Sequence, residues 1–356
     1  MKYPQFKVRV DCMTFNHSKY ITDAMNGFTM QQTDFPYICT IVDDASTDGE
    51  QDVIRKYVEE YFDLSEEGVS YEKETEYANI IYAQHKTNNN CFFAALFLKE
   101  NHYSQKKDKS PYLKEWHDLV DYTAFCEGDD YWIDENKLQR QVVFLDNNQD
   151  YGIAFEKAKM YYQEKGVFSR EALGYKINDY KDIILKGDKI PTASVILRKR
   201  LLDSYSQQKF PKWAMGDCPL WIYASHESKI HFEDMVSSVY RILQNSATCR
   251  GNYEGSCAFI KSGLEMYLYF NKLYGLNFEE AIRQGTYDLL QYFSFISHKY
   301  DDYIYYYRLL LKRNKKQKVK FWIARTMSLL NRIQLHFIGV PIELLFDRIY
   351  KKKLYR

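Results

Sequence analysis

At 356 residues the chain is long enough to bury a sizeable core and long for one average domain, which argues for a main domain with a smaller appendage. Seven scattered cysteines with no CxxC pair exclude a zinc-ribbon pattern and a disulfide framework, and no run of ~18 or more apolar residues is present to span a bilayer. The net charge of +1 conceals an acidic body, 36 basic against 46 acidic side chains through residue 311, and a basic tail with 13 Lys/Arg against Glu343 and Asp347; this is unlike a nucleic-acid binder, whose basic face lies on the folded module. With no apolar leader in "MKYPQFKVRV" and a cysteine pattern that reads as a reducing compartment, the expected location is the cytoplasm, extending to the inner face of its membrane. Aromatic residues, at 17%, supply core material and surfaces on which sugars stack.

In chain order, "FKVRVDCMTFN" (6–16) reads as a strand entering a loop, and "SKYITDAMNGFTMQQ" (18–32) carries Tyr20, Ile21, Ala24, Met25 and Phe28 at helical spacing. A second apolar strand, "FPYICTIVDDASTDG" (35–49), ends in two aspartates and a turn, and "DGEQDVIRKYVEEYF" resumes helical periodicity. This alternation predicts a parallel α/β sheet, in which ligands bind at the carboxyl ends of the strands. Arg9 and Asp11 alternate with apolar neighbours, which predicts a first strand near an edge or facing a wet pocket. "NIIYAQH" (79–85) is a third strand, "FFAALFLKEN" reads as helix, "SQKKDKSP" (104–111) as a surface loop, and "YTAFCEGDDYW" (122–132) as the fourth strand. Further on, "IPTASVILRKRLL" (190–202) is a strand and helix, "GDCPLWIYASHE" opens a helix, "KIHFEDMVSSVYRIL" is a strand pair, and 258–311 is helical and Tyr-rich.

Three carboxylates in "CEGDDYW" (Glu127, Asp129 and Asp130) repel one another unless a cation, a proton or open water compensates. As an isolated feature this is a solvated acidic turn. At a strand end where ligands bind, its hard oxygens suit Mg2+ or Mn2+, held by one or two carboxylates with substrate phosphates completing the shell. No Walker-type GxxxxGK[ST] accompanies it. Asp43 and Asp44 serve either as caps, a role open also to Ser46, Thr47 and Asp48, or, for Asp44, as an acceptor for a base N–H. Asp217 in "WAMGDCPLW" reads by itself as the N-cap of a helix with Pro219 in its first turn.

Taken together, "TFNHSKYITDAMNGFTMQQTDFPYICTIVDDASTDG", "CEGDDYWIDENKLQRQVVFL" and "GDCPLW" resemble the ordered motifs of the family 2 glycosyltransferases over roughly residues 6 to 250. The resemblance implies the GT-A nucleotide-sugar fold in residues 1–255, with a helical C-terminal region in 256–356. It implies that Asp44 contacts the nucleotide base in a pocket lined by Phe15 and the backbone near Met13. Glu127, Asp129 and Asp130 then sit at the diphosphate and a divalent metal (Mn2+ or Mg2+), with Asp130 first and Asp129 second as ligands, and Asp217 is the catalytic base. The implied donor is a nucleotide-diphosphate sugar, UDP-linked by preference. The implied acceptor is a glycan or glycolipid of a bacterial surface polysaccharide, and the outcome is inversion. Three departures stand out: "MTFN" replaces "PTYN", Leu243 in "YRILQNSAT" stands where relatives carry His, and no QxxRW follows, which argues against a processive synthase. The competing readings are an inactive relative serving as a membrane-associated scaffold and a nucleotidyltransferase, whose Gly-rich basic loop is missing from "DCMTFNHSKY".

The tail, from Lys312, pairs basic flanks with an apolar centre. Arg325, Ser328, Asn331 and Arg332 fall on one helical face, and Trp322, Ile323, Leu329, Leu330, Ile333 and Phe337 fall elsewhere. It is either a helix packed on the body or an interfacial helix whose cations meet anionic lipid.

Overall fold

A computed structural model of the chain describes residues 3–243 and 252–332. Its contacts divide the chain into two compact units, Met1–Pro211 with Gly216–Gln244, and Lys212–Met215 with Asn245–Arg356. Residues 244–248 of the "YRILQNSAT" segment and the tail from Ile333 onward, including Phe337, lie outside the described residues.

In the first unit β1 (Val8–Thr14), α1 (Ile21–Thr29), β2 (Tyr37–Asp43) and α2 (Glu50–Tyr61) alternate as the periodicity predicts. After β3 (Phe62–Asp63) and β4 (Tyr71–Glu74), β5 (Ala78–His85) pairs antiparallel with β6 (Cys91–Leu98). β6 corrects the helix expected for "FFAALFLKEN". Its eight residues are all buried, and it pairs along β2 from Tyr37–Cys91 to Asp43–Phe97. An unbroken apolar run fits a central strand as well as a buried helix, and only the vacant hydrogen-bonding edge of β2 decides between them.

Beyond α3 (Ser110–His117) and β7 (Tyr122–Phe125) come β8 (Tyr131–Trp132), α4 (Lys137–Asn147), β9 (Tyr151–Tyr162), β10 (Val167–Leu173), α5 (Tyr180–Lys186), β11 (Ile196–Arg198), α6 (Lys199–Ser206), α7 (Cys218–Glu227) and β12 (Lys229–Ile242). The mixed sheet runs β3-β5-β6-β2-β1-β7-β11-β9-β12-β8, with a parallel centre of β6, β2, β1 and β7. β1 is therefore central, not near an edge. Strand period 2 puts Arg9 and Asp11 on one face, where they pair at 2.6 Å, and the Thr40 hydroxyl donates to Asp11 Oδ1 at 3.0 Å. The mutual neutralisation is what lets a central strand carry both charges. "KIHFEDMVSSVYRIL" forms one 14-residue strand with register shifts along β9, not a pair. The β9–β10 hairpin has no counterpart among the sequence expectations.

The second unit is helical: α8 (Tyr253–Leu273), α9 (Glu279–Ile296), α10 (Tyr300–Leu309) and α11 (Lys315–Arg332). Its core joins Tyr300, Tyr303, Ala324 and Met327 in one cluster and Cys257, Leu290 and Tyr306 in another. Tyrosines serve a small helical unit by burying the ring while the hydroxyl reaches a partner. Tyr253 Oη shows this, lying 2.7 Å from Ser294 Oγ and donating to Asp302 Oδ2 at 2.8 Å. No helix among the described residues is long and apolar enough to cross a membrane, and the six described cysteines are buried and unbridged.

Candidate active site

Because β1, β2 and β7 run parallel, they deliver Thr14, Asp43 and Phe125 to the same edge of the sheet. The loops that follow β1 and β2 are tied together by Glu50, the fully buried first residue of α2. Its carboxylate accepts from the Thr14 hydroxyl, from the His17 amide at 2.9 Å and from the Ser46 hydroxyl at 2.8 Å. Burial pushes the Glu50 carboxyl up from its ordinary value despite these donors. Asn16 and Ala45, both left-handed (φ 57° and 60°), complete the turns, with Asn16 Oδ1 accepting from the Thr47 amide at 2.8 Å. The N-cap of α2 is Gly49, not one of Ser46 to Asp48 as expected, and Asp48, one residue earlier, accepts from the Glu50 amide at 3.1 Å.

Asp44 is 2% exposed. Its oxygens accept from the amides of His102 (2.8 Å) and Tyr103 (3.0 Å), and Lys109 Nζ lies at 2.9 Å. The residue expected to meet a nucleotide base is here an anchor of the loop that follows β6. Met13 packs into the core beside β2, while Phe15, 42% exposed, stands just outside the strand.

The carboxylate turn continues the pairing of β1, with the Cys126 amide on Asp11 O (3.1 Å) and the Gly128 amide on Met13 O (3.0 Å). A Cβ on residue 128 would lie 2.1 Å from Thr14 Oγ1 and 2.6 Å from Thr14 Cβ, so glycine is required by close approach. Gly128→Ala is accordingly expected to destabilise the fold by roughly 1–3 kcal/mol, the usual cost of overpacking, read as a lower midpoint in urea unfolding.

Asp129 and Asp130 separate in space. Asp130 is 3% exposed, and its Oδ1 accepts from the Arg241 amide at 2.8 Å. Burial first, then the charge of Asp129, raise its carboxyl well above the usual range. Asp129 remains half-buried, 3.9 Å from His17 Nε2, with its backbone carbonyl on Arg241 Nε at 2.7 Å. Arg241 itself is buried, pairs with Asp23 at 2.7 Å and lies over the rings of Tyr20 and Tyr131.

Residues of the signature that touch no carboxylate of the turn hold it in place. Gln31 Nε2 donates to Asp134 O at 2.8 Å while its Oε1 accepts from the Leu138 amide at 3.1 Å. Gln141 Nε2 donates to Ser194 O at 2.8 Å, and Trp132 Nε1 donates to Ala193 O at 2.7 Å.

Asp217 is the N-cap of α7, as its flanking sequence suggests. Its Oδ1 accepts from the Cys218 amide at 2.8 Å and its Oδ2 from the Thr192 hydroxyl at 2.6 Å. It also belongs to the acidic site. The Glu127 side chain reaches solvent, and burial of part of it, Asp129 and Asp217 push its carboxyl up to about 7. Asp188, whose carboxylate accepts from the Ile190 amide at 2.9 Å, is likewise pushed up to about 7 by burial and by Asp217. The charge of Asp217 thus acts on both Glu127 and Asp188, and that of Asp129 acts on Glu127.

Among the described residues no three His, Cys, Asp or Glu side chains form a ready-made metal cage. Glu127 and Asp129 fit the other mode, in which one or two carboxylates hold Mg2+ or Mn2+ and ligand phosphates complete the shell.

The Asp188 shift has a stability consequence with a definite sign. Between its ordinary value of 3.8 and about 7, the folded protein keeps a proton that the unfolded chain has lost. Stability therefore falls as pH rises through that window. Asp188→Asn, which fixes the neutral form, is expected to stabilise little near pH 4 and by up to about 4 kcal/mol near pH 8. Thermal unfolding at the two pH values measures the difference.

Sequence reasoning missed Glu50, Asp188, Thr192 and Arg241. Arg241 had a visible signal, a lone cation in the apolar end of β12, whereas Asp188 and Thr192 sit in the unremarkable "GDKIPTAS" and acquire meaning only beside Asp217.

No protein-family model matches the chain. Curated relatives, uncharacterized proteins of Mycobacterium bovis and Mycobacterium tuberculosis, are 28% identical over 192 residues, which is 53% of this chain and 46% of theirs. The chain thus spans about half the length of the curated relatives it matches. Among solved structures, a mannosyltransferase from Pyrobaculum calidifontis in complex with GDP-Man and Mn2+ is similar over 98% of this chain and 89% of its own, with 12% identity and a TM-score of 0.50. TarS from S. aureus in complex with UDP aligns over 92% of both chains with 15% identity and a TM-score of 0.45. The chain has a mixed α/β fold similar to that of the Pyrobaculum mannosyltransferase, with Glu127 and Asp129 in the turn that follows β7 and with the charge of Asp217 acting on Glu127 and on Asp188.

Proposed function

We propose that the protein is an inverting family 2 glycosyltransferase of the GT-A type. It moves a sugar from a nucleotide-diphosphate donor, UDP-linked by preference, to a hydroxyl of a glycan or glycolipid in surface polysaccharide biosynthesis. The observation that carries this reading is the meeting of Glu127 and Asp129 from the β7–β8 turn with Asp217 from the start of α7. A carboxyl whose proton affinity is raised by burial and by two further carboxylates suits a site meant for a cation and a polyanion.

A bound divalent cation would stabilise the negative charge that develops on the leaving diphosphate. Of the two adjacent aspartates, Asp129 is the one we assign to that cation together with Glu127, because Asp130 is buried and takes the Arg241 amide. Arg241 positions the turn from behind. Asp217 is oriented by the Cys218 amide and the Thr192 hydroxyl. A carboxylate has about four lone-pair sites, so each oxygen keeps one to take the proton of the attacking acceptor hydroxyl. Attack on the anomeric carbon opposite the diphosphate inverts that centre. Phe15 and Met13 line the base side, and Asp44 acts there by holding the His102–Tyr103 backbone as well as by any contact of its own.

Calorimetric titration of the full chain with UDP and GDP, with and without Mn2+, tests the reading. Metal-dependent binding of either nucleotide is the expected result. Tight binding without metal removes the metal from the mechanism. Failure of UDP, GDP and CDP with metal present overturns the enzyme reading in favour of a scaffold.

A further inference from the structure

The sequence left two readings of the tail, a helix packed on the body or a helix at a lipid surface, and α11 has one packed face and one exposed face. Its inner face is Ala324 (0% exposed), Met327 (2%) and Ser328 (7%), with the Ser328 hydroxyl donating to Asp301 Oδ1 at 2.6 Å. The sequence reading places Ser328 on one face with Arg325 and puts Trp322 and Leu329 elsewhere; instead Ser328 is buried, and Arg325 shares the exposed side with Trp322 and Leu329. At ~100° per residue, the opposite face collects Val319, Trp322 and Leu329 with Lys315, Lys318 and Arg325. The three apolar side chains are 54%, 63% and 60% exposed, and the cations are exposed as well. Arg325 lies 5.5 Å from the centre of the Trp322 ring. Three large apolar side chains exposed together on one helix face and rimmed by cations form the kind of patch that marks an interaction site.

We propose that this outer face of α11 is a docking surface for an anionic lipid bilayer, with Val319, Trp322 and Leu329 entering the interface and Lys315, Lys318 and Arg325 meeting headgroup charge. Two features select this occupant. No Asp or Glu occurs anywhere in α11, so a second copy docked face to face would set like charges against each other. An apolar centre containing Trp with a cationic surround matches the headgroup–acyl boundary, where Trp is favoured and Lys and Arg reach phosphate. The inference does not depend on the transfer reaction.

The test is co-sedimentation of the full chain with phosphatidylcholine vesicles and with vesicles containing ~30% phosphatidylglycerol. Binding to the anionic vesicles alone, weakened by salt, is expected. Trp322→Glu combined with Leu329→Asp should lower the bound fraction at least about tenfold without changing thermal unfolding, since both sites are exposed. Lys315→Glu with Lys318→Glu should remove the preference for anionic lipid. No sedimentation with either vesicle overturns the proposal. So does loss of binding on Lys351→Glu, Lys352→Glu and Lys353→Glu with the Trp322 variant binding normally, which would move the contact to the chain end. A lipid-independent dimer dissociated by the Trp322 variant would also overturn it. Nucleotide titration of the same variants reads the donor site separately, so failure here is distinguishable from failure of the transferase reading.

Discussion

Asp217→Asn is expected to lower the transfer rate by about 10^2–10^4-fold, the range typical for removing a general base, while leaving nucleotide affinity and fold nearly unchanged. The reason is geometric. Asn retains an oxygen that accepts from the Cys218 amide, so the α7 cap survives, and the Thr192 hydroxyl keeps a neighbour that accepts or donates. What is lost is the basicity needed to take the acceptor proton. Once a donor sugar is identified by the nucleotide titration, turnover and donor KM are measured on both proteins. A kcat fall with an unchanged KM supports the base assignment. Unchanged turnover would remove Asp217 from the chemistry and leave it as a helix cap. Replacing Thr192 by Val should reproduce a smaller share of the defect, because it frees the carboxylate to rotate without discharging it.

Asp129→Asn is expected to weaken metal-dependent nucleotide binding by at least ~10–100-fold, a loss seen even for groups one shell removed from a metal. Asp130→Asn should weaken it less, and should act mainly on stability. The two neighbours differ because the turn gives them different surroundings. Asp130 faces the Arg241 amide inside the sheet, and Asp129 stays partly open beside Glu127 and His17. Calorimetry with and without Mn2+ on both variants reads the affinity, and urea unfolding reads the stability. The reverse order, with Asp130 dominating affinity, would restore the ranking that the sequence resemblance implied. Asp129→Asn should also let Glu127 ionise more readily, since Asp129 is the charge that, after burial, most raises its carboxyl.

Much of this was legible in the residues alone, and the reason is periodicity. The β1–α1–β2–α2 opening announces itself through apolar spacing, and "VDDASTDG" and "CEGDDYW" mark strand ends because polar clusters interrupt apolar runs there. Asp217 could be singled out only through the resemblance of "GDCPLW" to a family motif, since its place before a Pro-containing helix start reads by itself as a cap, which it is. Where local pattern is ambiguous the reading failed. Cys91–Leu98 became a strand because β2 had an unpaired edge for it, and Arg9 with Asp11 entered a central strand because each neutralises the other. Neither fact is encoded within a few residues of the segment concerned.

The remaining division follows from sequence distance. Residue chemistry and local spacing fixed which carboxylates are available and which strand ends present them, since those depend on neighbours along the chain. How the charge of Asp217 reaches both Glu127 and Asp188, how Arg241 holds Asp130 from more than a hundred positions away, and which face of α11 is left open to solvent depend on neighbours across it. Charge interaction and burial are properties of distance in space, and the packing of the sheet and helices sets those distances.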